Sequence, residues 1–173
     1  MPMQPDPGAH RFWRFSLGRY GQAEIPPLCL AIQEETGADV NLLLFGLWLG
    51  SEGRRISADE AARFAEAVAE WHTEVVRPLR EVRRRLKGWQ VCPDGPRETL
   101  RAGIQKWEIA AERLEQDMLY ALFEDRVSMH PESYAADPDP AAAMAANLDR
   151  FSALAPQGAG KAKTRAALVA LCL

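Results

Sequence analysis

Ten consecutive residues, Val40 to Leu49, carry a single polar side chain, Asn41. A helix that is apolar on every side must be enclosed on every side, so this segment marks the centre of the fold. It is half the roughly 20 residues needed to cross a bilayer, which places it in a protein core. Asp39 stands at its start as a natural N-cap, and Gly50 and Gly53 offer stops. Asn41 then falls in the first helical turn. A buried amide must find partners or cost about 1–3 kcal/mol, so it reads as a structural anchor before it reads as a ligand contact.

The chain around this segment is long enough, at 173 residues, for one domain with a real core plus a tail. A formal net charge of -3 argues against binding nucleic acid with the whole surface. The cysteines, Cys29, Cys92 and Cys172, are odd in number and widely spaced, which gives neither a disulfide framework nor zinc-ligand spacing. A reducing compartment fits them. Residues 1–9 form a Pro-rich flexible lead-in with no apolar signal region, so a cytosolic protein without membrane insertion is expected.

Helical periodicity dominates the rest, and no strand signal interrupts it. Phe12, Trp13, Phe15, Leu17 and Tyr20 make a short aromatic helix. Pro26-Pro27 opens a second helix and Gly37 ends it. Ser57-Ala58-Asp59-Glu60 has the capping-box pattern. A stripe from Ala61 through Phe64, Val68, Trp71, Val75, Leu79, Val82 and Leu86 follows it, predicting one long helix over 57–87, kinked at Pro78. After a turn at Pro93-Asp94-Gly95, Leu100, Ile104, Trp107, Ala111, Leu114, Met118, Ala121 and Leu122 give a near-heptad stripe over 96–125. The two long helices are expected to pack as an antiparallel hairpin. The reading is all-α: a compact bundle over 10–126 with one enclosed apolar helix. A Pro/Ala-rich tail over 127–173 holds one or two short helices.

The segment Gly37-Ala38-Asp39-Val40-Asn41-Leu42-Leu43-Leu44-Phe45, with Leu47-Trp48-Leu49 after it, resembles the hallmark of an uncharacterised bacterial family, a domain of unknown function. The resemblance extends to Trp13-Arg14-Phe15-Ser16-Leu17, to Pro78-Leu79-Arg80 with Arg83-Arg84-Leu86-Lys87, and to Glu108–Arg113, over about residues 10–125. It implies no activity and no catalytic residue.

Local spacing gives little chemistry. Glu108, Glu112 and Glu115 share a helix face, but no Glu-x-x-His pattern occurs, so a helical di-metal site is not expected. The three acids read as a solvated face beside Arg101, Lys106 and Arg113. His72, next to Trp71, reads as a packed histidine, since no nucleophile stands at recognisable spacing. No metal, cofactor or catalytic residue is expected.

Charge is more suggestive. Arg77, Arg80, Arg83, Arg84, Arg85 and Lys87 stand against Glu81 alone near the hairpin loop, while acids crowd the other end of both long helices. Basic residues suit the carboxyl end of the first long helix, but acids at the carboxyl end of the second are unfavourable there. They would gain from Arg11, Arg14 and Arg19 on the aromatic helix. Three function classes follow. The first is a non-enzymatic interaction or regulatory module, docking an acidic protein surface or other polyanion through Arg77, Arg80, Arg84 and Lys87. The second is a small-molecule binder or enzyme with a pocket between the aromatic and central helices, using Trp13, Asn41, Trp48 and His72. The third is a structural subunit that oligomerises through the tail.

Overall fold

The computed structural model describes residues 9–89, 91, 93–134, 136–158 and 160–173; the lead-in 1–8 and Cys92 lie outside them. The helices are α1 (Arg11–Tyr20), α2 (Ile25–Thr36), α3 (Val40–Ser51), α4 (Ala58–Trp71), α5 (Arg77–Gly88), α6 (Asp94–Met129), α7 (Pro140–Ala153) and α8 (Ala162–Cys172). The fold is all-α, with no strand among the described residues. None of these helices is long and apolar enough to cross a membrane.

Every residue from Val40 to Gly50 is buried, as the composition of α3 requires. Asp39 caps the helix by accepting the Asn41 amide at 2.8 Å. Phe45 sits at the hub of an aromatic cluster, with ring centroids 5.1 Å from Phe12, 4.8 Å from Phe64, 6.3 Å from Phe123 and 6.2 Å from Phe151. One side chain of α3 therefore gathers α1, α4, α6 and α7.

The closest neighbour of α3 is α7, so residues 140–153 complete the core. Two glycines on one face of α3 make that approach possible. A Cβ at Gly46 would stand 2.9 Å from Phe151 Cδ2, and one at Gly50 would overlap the Met144 backbone. Asn147 on α7 ties the crossing together: it accepts the Ile56 amide at 3.1 Å and donates to the carbonyls of Arg54 at 2.7 Å and Gly46 at 3.2 Å.

The stretch 57–88 is not one α-helix kinked at Pro78. A π-helical turn, His72–Val76, joins α4 to α5, with the Arg77 amide donating to the His72 carbonyl. Pro78 lacks the N–H that an α-helix would direct to Glu74, and the widened turn falls just before it. Packing of α4 and α5 against α6 gives the antiparallel hairpin. Ser57 accepts the Glu60 amide at 3.1 Å, but the Glu60 carboxylate does not complete the capping box. It accepts from Arg126 Nε at 2.6 Å and from the Tyr134 hydroxyl at 2.6 Å instead. Of the three α1 arginines, Arg11 reaches the acidic end of α6, 4.0 Å from Glu124, whereas Arg19 lies over the Phe15 ring.

The largest departure concerns α6. Leu100, Leu114 and Met118 of its apolar stripe are exposed, and Trp107 is 70 % exposed. Its buried face holds Glu108, Ala111, Glu115, Gln116, Leu119 and Phe123. Periodicity shows that a helix has two faces, but only the partner decides which is buried. Here the partner supplies Arg80, Arg83, His72 and Glu60.

Two outcomes test this packing. Gly50→Ala should destabilise the protein by about 1–3 kcal/mol despite the better helix propensity of alanine. Gly103→Ala on α6, where nothing lies within 4 Å of the added methyl, should stabilise it by a few tenths to about 1 kcal/mol, both read by urea denaturation. A stabilised Gly50→Ala would refute the close α3–α7 approach. Arg126 holds the Glu60 carboxyl below its ordinary range, outweighing burial. Its stabilisation is therefore full above the unfolded carboxyl value and is lost as pH falls through the lower folded one. Glu60→Gln should flatten that part of the acid-unfolding profile.

Candidate functional site

The buried face of α6 carries three carboxylates at helical spacing, and each meets a cation from the α4–α5 arm. Arg80 donates through Nε to Glu108 at 3.1 Å and through Nη2 to Glu112 at 2.6 Å. Arg83 donates through Nε to Glu108 Oε2 and through Nη2 at 3.2 Å to Oε1, the oxygen that Arg80 also bonds. Burial raises the Glu108 carboxyl, but the two guanidinium groups outweigh it and hold the group ionised. Glu112 is pushed upward by burial, which Arg80 only partly opposes. The expected solvated acidic face is thus an enclosed polar seam.

The third carboxylate belongs to a cluster drawn from three elements. His72 Nδ1, in the π-helical turn, lies 3.2 Å from Glu115 Oε1 and 3.2 Å from Asp39 Oδ2. Glu115 is fully buried, and its Oε2 accepts from Asn41 Nδ2 at 2.7 Å. Asn41 Oδ1 accepts in turn from Gln116 Nε2 at 2.8 Å. Burial opposes charge on His72, yet the two carboxylates lift its pKa to about 10. Burial and the neighbouring Asp39 charge push Glu115 up to about 8, while Asp39, against its own burial, is held low by His72. The π turn is what brings the imidazole here, at a place where such turns often serve function.

On the other side of Asn41, a cavity of about 460 Å³ opens between α1, α2, α3, α5 and α6. Trp13, Leu17, Leu44 and Ile109 give it an apolar wall, and Arg80, Arg83, Glu108 and Glu112 line its charged side. Trp13 is fixed by Arg113, whose guanidinium lies 4.7 Å from the indole centroid. Ser16 Oγ, Gln33 Oε1 and Gln116 Oε1, on three lining residues, are buried without a hydrogen-bond partner among the described residues. A smaller cavity of about 180 Å³ lies beside Asp39 and His72.

These positions revise both residue sets named from sequence. Of the basic stripe, Arg77, Arg84 and Lys87 are exposed, and no ion pair engages them among the described residues. Arg80, by contrast, is 13 % exposed and paired with Glu108 and Glu112. Of the pocket set, Trp13 and Asn41 do line the large cavity. Trp48 does not, because it is packed among Phe12, Phe45, Tyr120 and Phe123. His72 faces the smaller cavity. Gln33, Gln116 and the role of Glu115 carry no local sequence signal, since their meaning depends on what α6 faces.

Residues 11–119 match the family described as "Protein of unknown function (DUF2390)", and the chain belongs to that family. No curated protein and no solved structure matches the chain. The matched span contains the seam, the His72 cluster and the residues lining the large cavity, while α7 and α8 lie beyond it.

The seam makes a quantitative demand. Glu108→Gln leaves two partly buried guanidinium groups short of charge and should cost about 3 kcal/mol. Arg84→Gln, on the exposed face, should stay within about 0.5 kcal/mol. Equal small losses in urea unfolding would contradict the enclosed seam.

Proposed function

We propose that the protein is a small-molecule-binding module whose ligand occupies the cavity between the aromatic helix α1 and the central helix α3. The supporting observation is one cavity of about 460 Å³ whose lining joins an apolar wall of Trp13, Leu17, Leu44 and Ile109 to a charged side that includes the exposed Arg84. That volume is within the range of ordinary ligand sites.

The lining sets the ligand's chemistry. Trp13, Leu17 and Leu44 suit a flat apolar body. Gln33, Gln105 and Gln116 also line the cavity and suit a ligand with polar edges. Arg80 and Arg83 are neutralised by Glu108 and Glu112, which leaves Arg84 as the lining cation for an anionic group. The arrangement favours this reading over a polyanion-docking stripe, which loses Arg80 to the seam.

An anionic amphipathic probe, 8-anilinonaphthalene-1-sulfonate, tests the cavity. The folded protein should bind it saturably at one site. Leu17→Trp, which fills the apolar wall, should abolish binding, and Arg84→Glu should weaken it several-fold through loss of the ionic contact. Absence of saturable binding by the folded wild-type protein, or binding indifferent to both substitutions, would reject the proposal.

A further inference from the structure

We infer that Asp39, His72 and Glu115 form a binding site for one divalent first-row transition-metal ion, with Zn²⁺ the best fit. The inference is independent of the ligand cavity. It also departs from the sequence reading, which expected no metal.

Geometry is the first ground. A charge-assisted hydrogen bond from an imidazolium to a carboxylate runs about 2.7–2.9 Å. His72 Nδ1 instead stands 3.2 Å from both Asp39 Oδ2 and Glu115 Oε1. Two ligand atoms on one tetrahedral zinc ion, each about 2.0–2.1 Å from it, lie roughly 3.3 Å apart. The three ligand atoms all lie within 4.8 Å of one another, so one ion could contact them all.

Hydrogen-bond accounting is the second. The single proton on Nδ1 can point at only one carboxylate, and it points at Glu115. Asp39 Oδ2 is left without a hydrogen-bond partner, on a side chain only 10 % exposed and aimed into the cluster. A divalent ion at the centre would contact all three ligand atoms at once.

The supporting shell is the third. Each carboxylate spends one oxygen on the scaffold and turns the other to the centre. Asp39 Oδ1 accepts the Asn41 amide, and Glu115 Oε2 accepts the Asn41 side chain, which Gln116 holds. Ligands oriented by such outer bonds are characteristic of metal sites. One imidazole nitrogen with two carboxylate oxygens suits Zn²⁺, Mn²⁺ or Co²⁺ better than Mg²⁺ or Ca²⁺. With three protein ligands, a fourth position remains towards the small cavity beside Asp39 and His72.

The full-length protein, treated with chelator and dialysed, tests this with Zn²⁺, Mn²⁺ and Co²⁺ alone. Calorimetry should give one equivalent of Zn²⁺ per chain, and Co²⁺ should give the visible absorption of a four- or five-coordinate site. The chain has three histidines, so imidazole NMR should show the His72 resonances alone shifting with Zn²⁺, a readout that needs no variant. His72→Gln and Glu115→Gln should each lower affinity by about 100-fold or more, and Asn41→Ser by about 10-fold. Wild-type protein that binds none of the three ions overturns the inference. So does binding that leaves the His72 resonances unmoved, or that persists undiminished in folded Glu115→Gln.

Discussion

The requirement that Val40–Gly50 be covered on every side governs the rest of this structure. A helix without a polar face has no solvent side, so the chain must surround it. The hardest part of that enclosure is the contact with α7, which approaches so closely that a methyl group at Gly50 would overlap backbone. Small residues at four-residue spacing allow helix axes to come together, and the dispersion gained grows with that proximity. Asn147 then pairs the Ile56 amide and the Arg54 carbonyl just beyond α3 and adds a bond to the Gly46 carbonyl within it. The carboxyl-terminal helices are therefore part of the enclosure, although the family match ends before them.

Enclosing α3 has a second consequence. The first turn of this helix carries Asp39 and Asn41, and these polar groups are taken into the interior with it. They need polar neighbours, and the inner face of α6 provides them in Glu115 and Gln116. A carboxylate on α6 in turn needs a positive partner, which the π-helical turn and α5 provide as His72, Arg80 and Arg83. Each buried polar group thus makes the next one necessary. The α5–α6 hairpin is joined by a charged seam, and Leu100, Trp107, Leu114 and Met118 of the α6 stripe are left facing outward.

The seam gives the molecule its chemical character. Asn41 stands between two enclosed spaces: one side chain lines the large cavity and anchors Glu115 beside His72. The large cavity and the cluster of Asp39, His72 and Glu115 both adjoin that amide. Asn41 is a structural anchor, donating to Glu115 and accepting from Gln116.

Much of the architecture was legible in the residues. The enclosed helix, the caps at Asp39 and Ser57, the helical hairpin and the short helices near 140–153 and 162–172 follow from local propensity, capping and periodicity, which act over a few residues. The pocket between α1 and α3 was also in reach, through Trp13 and Asn41. What no local rule supplied is the facing of α6, the commitment of Arg80, and the meeting of residues 39, 72 and 115. An apolar stripe ordinarily turns inward because burial of apolar area dominates. On α6 that preference is overruled by the opposing helix, whose arginines and histidine make the acidic face the complementary one. The sequence by itself determined that α3 must be central and that helices would surround it. Only the tertiary structure decided which faces met, because complementarity between two surfaces is a property of the pair.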